Sequence, residues 1–249
     1  NPLAFGEARD CDIVFWHSGA NGLVGLGMKE VGALKGKLVV VFNASDLMAC
    51  IGSRDYKKLF ERGDLFLSIS RHSERKMVSS GCPEKKIQVH RMGLDLSQFR
   101  ITTHKRFGTV PLRLISVARL EEHKGLRYGI EAVDRLGRDG LDCDYTIVGD
   151  GPLRQELEGL ARDLKVSAKV HFTGWQDSGA VRHYLKEADI FLAPGIRAGN
   201  GNEEGIPVVL MEAMASRVPV VSPMTDGIRE IIEDGKTGFL VEDKSAASI

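Results

Sequence analysis

Two glutamates, Glu204 and Glu212, are separated by seven residues in the stretch EGIPVVLME. An ionised carboxylate only accepts hydrogen bonds, and it can accept two of them from neighbouring hydroxyls of a sugar. The pair therefore indicates a site that binds sugar hydroxyls at two places. Glu203 is an alternative to Glu204 as the working acid, although the spacing favours Glu204.

The residues between these glutamates predict a helix that starts at Pro207 and runs from Val208 to Ser216. Proline suits the first helical turn, where its missing N–H is not needed, and Gly205 lets the backbone approach a ligand closely. The free amides and the positive dipole end of such a helix favour an anion. The arrangement suits a ligand with phosphate in its middle and a sugar at each end.

Arg119 and Lys124 follow the predicted strand 112–118 and could neutralise the two charges of a diphosphate without a metal. Ordinary surface charges are the alternative for both residues. Glu212 could likewise be a solvated helix residue, but the apolar residues on either side of it favour a functional role.

The elements that must position these residues are short runs rich in Val, Ile, Leu and Phe. Ten such runs predict strands at 12–16, 37–42, 65–69, 87–91, 112–118, 145–149, 168–172, 189–193, 218–221 and 238–241. Amphipathic stretches separate most of them, with apolar faces such as Ile130, Val133 and Leu136, or Leu153, Leu157, Leu160 and Leu164. Strand–helix alternation predicts parallel sheets covered by helices.

The least patterned and most basic segment, 99–111, separates four predicted strands from six. We therefore expect a first domain at 1–100, a linker at 101–110 and a second domain at 111–249. The chain starts without Met and stops inside a promising helix start, so we expect it to be part of a longer protein.

Ligands of open α/β sheets bind outside the carboxyl ends of the strands. Four residues at or just after these ends are therefore site candidates, namely His17, Gly149, Gly151 and Gly174. His17 could instead be a packed core histidine. The other six histidines show no metal-ligand spacing and are interpreted as structural or surface residues.

Two DxD sequences, Asp10-Cys11-Asp12 and Asp142-Cys143-Asp144, match the carboxylate pair with which many nucleotide-sugar enzymes hold a metal. Both precede their strands, which places them at the amino edge of the sheet, away from the ligand. We interpret them as solvated turn residues and predict no metal site.

The composition excludes several classes of protein. Lys and Arg together number 34, as do Asp and Glu, so no global field recruits nucleic acid or an anionic membrane, although a local patch stays open. The four cysteines form no CxxC pair, which indicates reduced thiols in the cytoplasm. The longest apolar runs are the length of strands and are too short to span a bilayer.

At these residues the sequence resembles the retaining GT-B glycosyltransferases of the glycosyl transferases group 1 family, also called family 4. The E-x7-E pair is accompanied by VARLEEHKG, VGDGPLR, VHFTGW and DGKTGFLVED in the usual order. The stretches WHSGANGLVG and CPEKKIQVHRMGLDLSQF resemble the exopolysaccharide branch, of colanic-acid type. The resemblance covers essentially the whole chain. It implies an α/β GT-B fold with two Rossmann-like parallel-sheet domains facing a cleft, the N-terminal one incomplete.

The resemblance also implies catalytic roles. Arg119 and Lys124 would hold the donor diphosphate and stabilise its leaving charge. Glu204 would contact the transferred sugar, and His17 would face the reaction centre from the other domain. Glu212 would bind the ribose hydroxyls.

The remaining donor-binding residues implied by the resemblance lie in glycine-rich loops and at the start of the predicted helix. The backbone at Gly174 would lie beside the base. The other positions are Gly149, Gly151, Gly205, Ile206, Pro207 and Val208.

The family further implies a UDP- or GDP-sugar donor, a saccharide or lipid-linked acceptor, and no cofactor or metal. Front-face attack would retain the configuration of the sugar. We expect a cytoplasmic protein that does not bind nucleic acid, and a peripheral contact with the inner membrane is left open.

Two positions depart from the family pattern. Related sequences often carry a His in a TFHGxD motif, where this chain has Asn43, which cannot titrate. Either His17 suffices, or activity is weakened, or the acceptor differs. Arg229 replaces a Pro that is frequent in GIPE, which would change only a helix start.

Three classes of function therefore remain open. The first is sugar transfer from a nucleotide-diphospho-sugar to a glycan. The second is another enzyme on the same scaffold, such as a nucleotide-sugar epimerase. The third is a non-catalytic nucleotide-sugar binder, which Asn43 keeps under consideration.

Overall fold

A computed structural model describes residues 11–51, 53–99, 111–196, 206–225 and 227–249. The chain divides into two compact units, Asn1–Met92 and Gly93–Ile249. The predicted linker at 101–110 lies outside the described residues, so its conformation stays a prediction.

The first unit is a four-stranded parallel sheet with the strand order β1-β2-β3-β4. Its strands are β1 (Ile13–His17), β2 (Lys37–Phe42), β3 (Leu65–Ser68) and β4 (Ile87–Val89). Its helices are α1 (Gly19–Glu30), α2 (Ala44–Cys50), α3 (Arg54–Arg62) and α4 (Arg71–Ser79). Each strand pairs with the next one in the chain, as consecutive strands usually do.

The core of the first unit is aromatic. Phe42, Phe60 and Phe66 are fully buried, and the Phe60 and Phe66 rings pack edge to face with centroids 5.3 Å apart. The helices α1 and α3 bring Leu26 and Leu59 into the same cluster. Alternate residues of β2 supply its sheet side, so this core covers one face of the sheet.

The second unit is a six-stranded parallel sheet with the order β10-β9-β8-β5-β6-β7. Its strands are β5 (Leu112–Val117), β6 (Cys143–Val148), β7 (Val170–Gly174), β8 (Ile190–Leu192), β9 (Val220–Pro223) and β10 (Phe239–Val241). Its helices are α5 (Leu126–Arg138), α6 (Arg154–Asp163), α7 (Ser178–Glu187) and α8 (Val208–Ala215). Short 3₁₀ helices span Leu96–Phe99, Glu122–Lys124 and Ile228–Glu230.

The order of these strands reverses at β5. The chain runs outward through β6 and β7, then returns to the other side of β5 and continues through β8, β9 and β10. Open α/β sheets bind ligands at such a switch point. The carboxyl ends of β5 and β8 are therefore where the second unit is expected to hold a ligand.

Both faces of the second sheet are packed. Leu114 and Ile115 are neighbours on β5, yet they belong to two different core clusters. Successive strand residues point to opposite faces, so one cluster lies on each side of the sheet. At the amino edge, the buried Asp189 accepts bonds from the Arg113 amide and guanidinium at 2.9 to 3.1 Å, which ties β8 to β5.

The predicted elements are confirmed. Each of the ten predicted strands is present, with ends that differ from the prediction by a few residues at most. The apolar faces predicted around Ile130 and Leu157 are the buried faces of α5 and α6. Gly81, which follows the end of α4, has a φ of 95°, a value that suits glycine.

The end of the first unit differs from the predicted end at residue 100. The 3₁₀ helix Leu96–Phe99 contacts α8 and so groups with the second unit. No helix among the described residues is long and apolar enough to cross a membrane.

Candidate functional site

A cavity of about 50 Å³ lies at the carboxyl ends of β5 and β8. We call it the switch-point cavity. Its lining includes Val117, Lys124, Ala193, Pro207, Ser222 and Thr225. Its volume suits one end of a ligand, since sites for whole drug-sized ligands are several times larger.

The floor of the switch-point cavity is held by a buried hydrogen-bond chain. Ser116 Oγ donates to Leu192 O at 2.6 Å and lies 2.7 Å from Tyr145 Oη, so the tyrosine donates to the serine. Tyr145 is completely buried, and burial raises the pKa of its phenol. The chain spans β8, β5 and β6, and it fixes the three strands on which the site is built.

Lys124 reaches this cavity because its loop is held against the end of β8. Gly125 has a φ of 62°, and a Cβ there would lie 1.9 Å from Pro194 O. Ile196 N donates to His123 O at 2.8 Å. The loop after β5 is therefore tied to the first residues of the loop that leads to Glu204.

Arg119 is on the same loop, but it does not line the cavity. Its side chain is 74% exposed and forms an ion pair with Glu121 at 2.7 Å. His123 Nδ1 lies 3.6 Å from the other oxygen of Glu121. Sequence reasoning missed Glu121, which a phosphate would have to replace as the partner of Arg119.

Pro207 lies at the start of α8 but not inside it. It is the N-cap, with φ −66° and ψ 131°, and the helix spans Val208–Ala215. The amides of Leu210 and Met211 both donate to Pro207 O, at 3.1 and 3.4 Å. The first two amides of α8 thus have no acceptor inside the helix, as the anion-binding interpretation requires.

Glu212 is half-buried in α8. Burial raises the pKa of its carboxyl above the ordinary value, and the positive charge of Arg182 on α7 opposes this rise. Glu212 is therefore more than a solvated helix residue. Arg182 was not predicted, since nothing local in its sequence indicates a partner thirty residues away.

The glycines after β6 are explained by packing of the protein backbone. Gly149 has a φ of 134°, and a Cβ there would lie 2.0 Å from Ala118 O. A Cβ on Gly151 would lie 2.7 Å from the backbone of Leu120. These glycines let the loop after β6 pack against the loop after β5, and their contact with the donor stays a prediction.

Gly174 ends β7 with a φ of 74° and accepts a bond from Gly149 N at 2.8 Å. Trp175, which follows it, is 76% exposed. The side chains of Arg154 and Asp150 lie within about 4 Å of the position that a Gly174 Cβ would take. Polar groups therefore stand where the base is predicted.

Two of the predicted site residues, Glu204 and Gly205, lie outside the described residues, and their roles stay predictions. Ile206, which is described, is half-buried just before the Pro207 cap.

His17 belongs to the first unit and is the last residue of β1. Its ring lies 5.0 Å from that of Phe15 and is exposed, so the core-histidine alternative is wrong. Ser18 follows with a φ of 118°, a strained value for a residue with a side chain. Its Oγ accepts a bond from Asn21 N at 3.3 Å and caps α1.

Asn43, the departure from the family histidine, is the N-cap of α2. Val41 pairs with His17 in the sheet, and Asn43 follows β2 at the same edge. The backbone N–H of Asn43 donates to Asp46 Oδ2 at 2.9 Å. Asn43 thus has a structural role at the start of α2.

Asp142-Cys143-Asp144 lies at the amino end of β6, as predicted, with Asp144 inside the strand. Lys169 Nζ lies 2.5 Å from Asp142 and 3.8 Å from Asp144. These carboxylates are therefore neutralised by a lysine and are not simply solvated. Across the described ranges, no group of acidic, His or Cys side chains could hold a metal ion.

Comparison with known proteins adds to this geometry. Residues 101–249 match the model of the family described as Glycosyl transferases group 1. The chain belongs to this family. Colanic acid biosynthesis glycosyltransferase WcaL of Salmonella typhimurium is 40% identical over 246 residues, which cover 96% of this chain and 59% of WcaL. Amylovoran biosynthesis glycosyltransferase AmsK of Erwinia amylovora is 39% identical over 242 residues, with the same coverage.

The solved structures show the fold alone. Anabaena HepE in complex with UDP superimposes with a TM-score of 0.79 at 19% identity, covering 99% of this chain and 69% of HepE. Sucrose-phosphate synthase of Thermosynechococcus elongatus gives 0.81 at 17% identity, with 99% and 64% covered. The α/β architecture is thus that of part of a GT-B protein. The chain spans about three fifths of the length of the curated relatives, and these relatives do not support the epimerase alternative.

Proposed function

We propose that this protein is a glycosyltransferase that moves a sugar from a nucleotide-diphospho-sugar to a saccharide or lipid-linked acceptor in exopolysaccharide synthesis. The observation that carries the proposal is the switch-point cavity, where Lys124 meets the start of α8. Family membership and the names of WcaL and AmsK support the reaction class and the pathway class.

The donor diphosphate is placed between Lys124 and the first amides of α8. An ammonium group and unpaired amides are the partners that phosphate oxygens prefer. Arg119 would leave Glu121 and bind the phosphates from the solvent side. Its high exposure supports this, because an exposed ion pair holds its members weakly.

The two sugars of the donor lie on either side of the diphosphate. Glu212, half-buried one turn inside α8, binds the ribose hydroxyls, with the base near Gly174. Glu204 contacts the transferred sugar. The strand order supports this arrangement, because β7, which ends at Gly174, and β8, which precedes Glu204 in the chain, lie on opposite sides of β5.

In the reaction, the bond between the anomeric carbon and the distal phosphate oxygen breaks while the acceptor oxygen bonds to the same carbon. The acceptor proton passes to the leaving phosphate oxygen. Lys124 and Arg119 stabilise the charge that develops on the diphosphate, which needs no metal or other cofactor. Attack from the face that the phosphate leaves retains the configuration of the transferred sugar.

We place the reaction in the cytoplasm, with a UDP- or GDP-sugar as donor and a peripheral contact with the inner membrane. The complex of HepE with UDP supports the nucleotide class.

The test is turnover of isotope-labelled UDP- and GDP-sugars with and without a saccharide acceptor, in the longest natural polypeptide that contains this sequence. A glycosyltransferase releases nucleoside diphosphate and labels the acceptor, and excess chelator leaves the rate largely intact. Binding without turnover would favour a non-catalytic binder. Loss of activity in chelator, restored by Mn²⁺ or Mg²⁺, would contradict the metal-free mechanism.

Glu204→Gln and Glu212→Gln test the order of the two sugars. Ribose contacts do not change as the bond breaks, so Glu212→Gln raises the donor KM and weakens free nucleotide binding. The transferred sugar gains positive charge in the transition state, so Glu204→Gln lowers kcat and spares UDP or GDP binding. The reverse pattern would show that the two ends of the donor are exchanged.

A further inference from the structure

The switch-point cavity contains a hydroxyl that the roles above do not use. Thr225 follows β9 and lines the cavity with Lys124 and Pro207. Its Oγ1 is buried, and within the part of the chain that the structure describes it has no hydrogen-bond partner. The large majority of buried side-chain polar atoms are bonded, so this one indicates a missing ligand.

The backbone of Thr225 is fully engaged, which fixes where the hydroxyl stands. Thr225 N donates to Pro223 O at 2.8 Å, and Thr225 O accepts from Arg229 N at 3.0 Å. On the preceding residue, Met224 N donates to Val241 O at 3.1 Å. The residue is thus anchored to β9, β10 and the following 3₁₀ helix, and only its side chain remains available.

A second hydroxyl at the end of β9 does have a hydrogen-bond partner within the protein. Ser222 also lines the cavity, and its Oγ donates to Ala193 O at 3.0 Å. The open hydroxyl of Thr225 is therefore specific to that position.

The other polar groups of the cavity indicate what Thr225 binds. Lys124 and the start of α8 favour an anion, and a threonine hydroxyl donates one hydrogen bond. The strand order places β9 on the far side of β8 from β7, where the base is proposed to lie. A group held from β9 is therefore at the end of the diphosphate away from the nucleoside.

Building on the proposed function, we propose that Thr225 Oγ donates a hydrogen bond to an oxygen of the distal phosphate of the nucleoside diphosphate. This makes Thr225 a donor-positioning residue that acts together with Lys124. The bond is absent from nucleoside monophosphates, since they lack the distal phosphate.

The test titrates UDP, GDP, UMP and GMP into the unaltered protein and into Thr225→Val, which keeps the shape and removes the hydroxyl. We expect the better-bound diphosphate to lose about tenfold or more in affinity, as for a hydrogen bond to a charged group. The matching monophosphate keeps its affinity. Thr225→Ser restores diphosphate binding.

Three results would overturn the assignment. Equal diphosphate affinity in Thr225→Val would mean that the hydroxyl holds only water. An equal loss for diphosphate and monophosphate, with a lowered unfolding temperature, would indicate damage to the fold. A loss seen with UDP- or GDP-sugars but not with UDP or GDP would place the hydroxyl against the sugar.

The outcome also separates this inference from the proposed function. If Lys124→Ala weakens diphosphate binding and Thr225→Val does not, the diphosphate site stands and only the role of Thr225 is wrong. If the unaltered protein binds neither UDP nor GDP, both the proposed donor site and the proposed role of Thr225 are wrong.

Discussion

The sheet of the second unit is packed on both faces, whereas the described core of the first unit covers one. Leu114 and Ile115 on β5 enter separate clusters in the second unit. In the first unit, Trp16 packs against the core, while Ile13 and Phe15 on the opposite face of β1 are 60% and 48% exposed. Parallel sheets are normally covered on both faces. The first unit thus leaves apolar surface exposed on β1, whereas the central strand β5 of the second unit is covered on both faces.

The two units also differ in charge. Lys and Arg outnumber Asp and Glu within residues 1–92, and the reverse holds within 93–249, although the totals are 34 each. The neutral total therefore conceals a basic first unit and an acidic second one. The first unit would therefore attract an anionic surface or acceptor more than the second unit would, whereas the second unit places Lys124 in the switch-point cavity.

The largest expected effect compares one aromatic residue from each sheet. Phe191→Ala removes a ring that is 1% exposed on β8, so we expect the free energy of unfolding to fall by about 3–5 kcal/mol. Phe15→Ala removes a half-exposed ring from β1 and should cost less than about 1 kcal/mol. Urea unfolding measures the free energy of unfolding of both variants. Similar decreases would show that the face of the first unit's sheet that carries Phe15 is packed.

A smaller effect compares two glycines with similar backbone angles. Gly125 has a φ of 62°, and a Cβ there would clash with Pro194 O, whereas Gly32 has a φ of 72° and open space. Both alanine variants adopt an unfavourable left-handed conformation, which costs about 1–2 kcal/mol. Gly125→Ala must also displace the loop, for a total of about 2–4 kcal/mol.

Nucleotide titration completes the glycine comparison. Because Gly125 holds Lys124 in place, Gly125→Ala weakens UDP or GDP binding while Gly32→Ala does not. Equal stability losses in the two variants would show that the Pro194 contact can relax easily.

The next comparison is between a lysine in the switch-point cavity and a lysine on a helix of the first unit. Lys124→Ala removes a cation from the switch-point cavity and should weaken UDP or GDP binding by about 1.5–3 kcal/mol. Lys57→Ala on α3 of the first unit removes the same charge without changing the affinity. Calorimetric titration at two salt concentrations measures this, and a similar loss in both variants would indicate a diffuse field and not a site.

The smallest expected effect is the pH dependence of two glutamates with opposite shifts. Burial raises the pKa of Glu212 above the ordinary 4.5, and a hydrogen bond from Lys58 lowers the pKa of Glu30 in the first unit. The native state thus binds the Glu212 proton more tightly than the unfolded state, and the Glu30 proton less tightly. As the pH rises from 4.5 to the raised pKa of Glu212, ionisation of this residue therefore lowers the free energy of unfolding. As the pH falls from 4.5 through the lowered pKa of Glu30, the stabilising effect of that residue is lost.

The glutamine variants should accordingly move in opposite directions at neutral pH. Glu212→Gln gains a little stability and Glu30→Gln loses a little, and both differences shrink in acid. Thermal unfolding between pH 4 and 7 tests the signs. A loss of stability at neutral pH in Glu212→Gln would mean that Arg182 outweighs burial.

Much of the fold could be predicted from the sequence, because each element carries its own apolar pattern. The run 37–42 is β2 to the residue, and the start of α8 was placed to within one position. The first unit was predicted to end too late, since the helix Leu96–Phe99 owes its position to α8, far away in sequence.

Some of the residues predicted for the site lie close together in the structure, and their roles stay predictions. The rule that ligands bind at carboxyl strand ends located Lys124 and Pro207, which do share a cavity. It could not find Arg182 or Thr225, whose importance comes from neighbours distant in the chain. The glycines of the loop after β6 were predicted to allow a ligand to approach the backbone closely. In the structure, the group that approaches them is the backbone of the loop after β5.

The sequence by itself determined the parallel α/β architecture and the types of residue at the strand ends. These follow from local periodicity, because each segment must bury its own apolar side chains. Only the tertiary structure decided the strand order and hence the switch point. Pairing β5 with β8 brings Arg113 to Asp189, 76 residues away, and Lys124 to the start of α8. Such pairing depends on the packing of the whole sheet, which no single segment encodes.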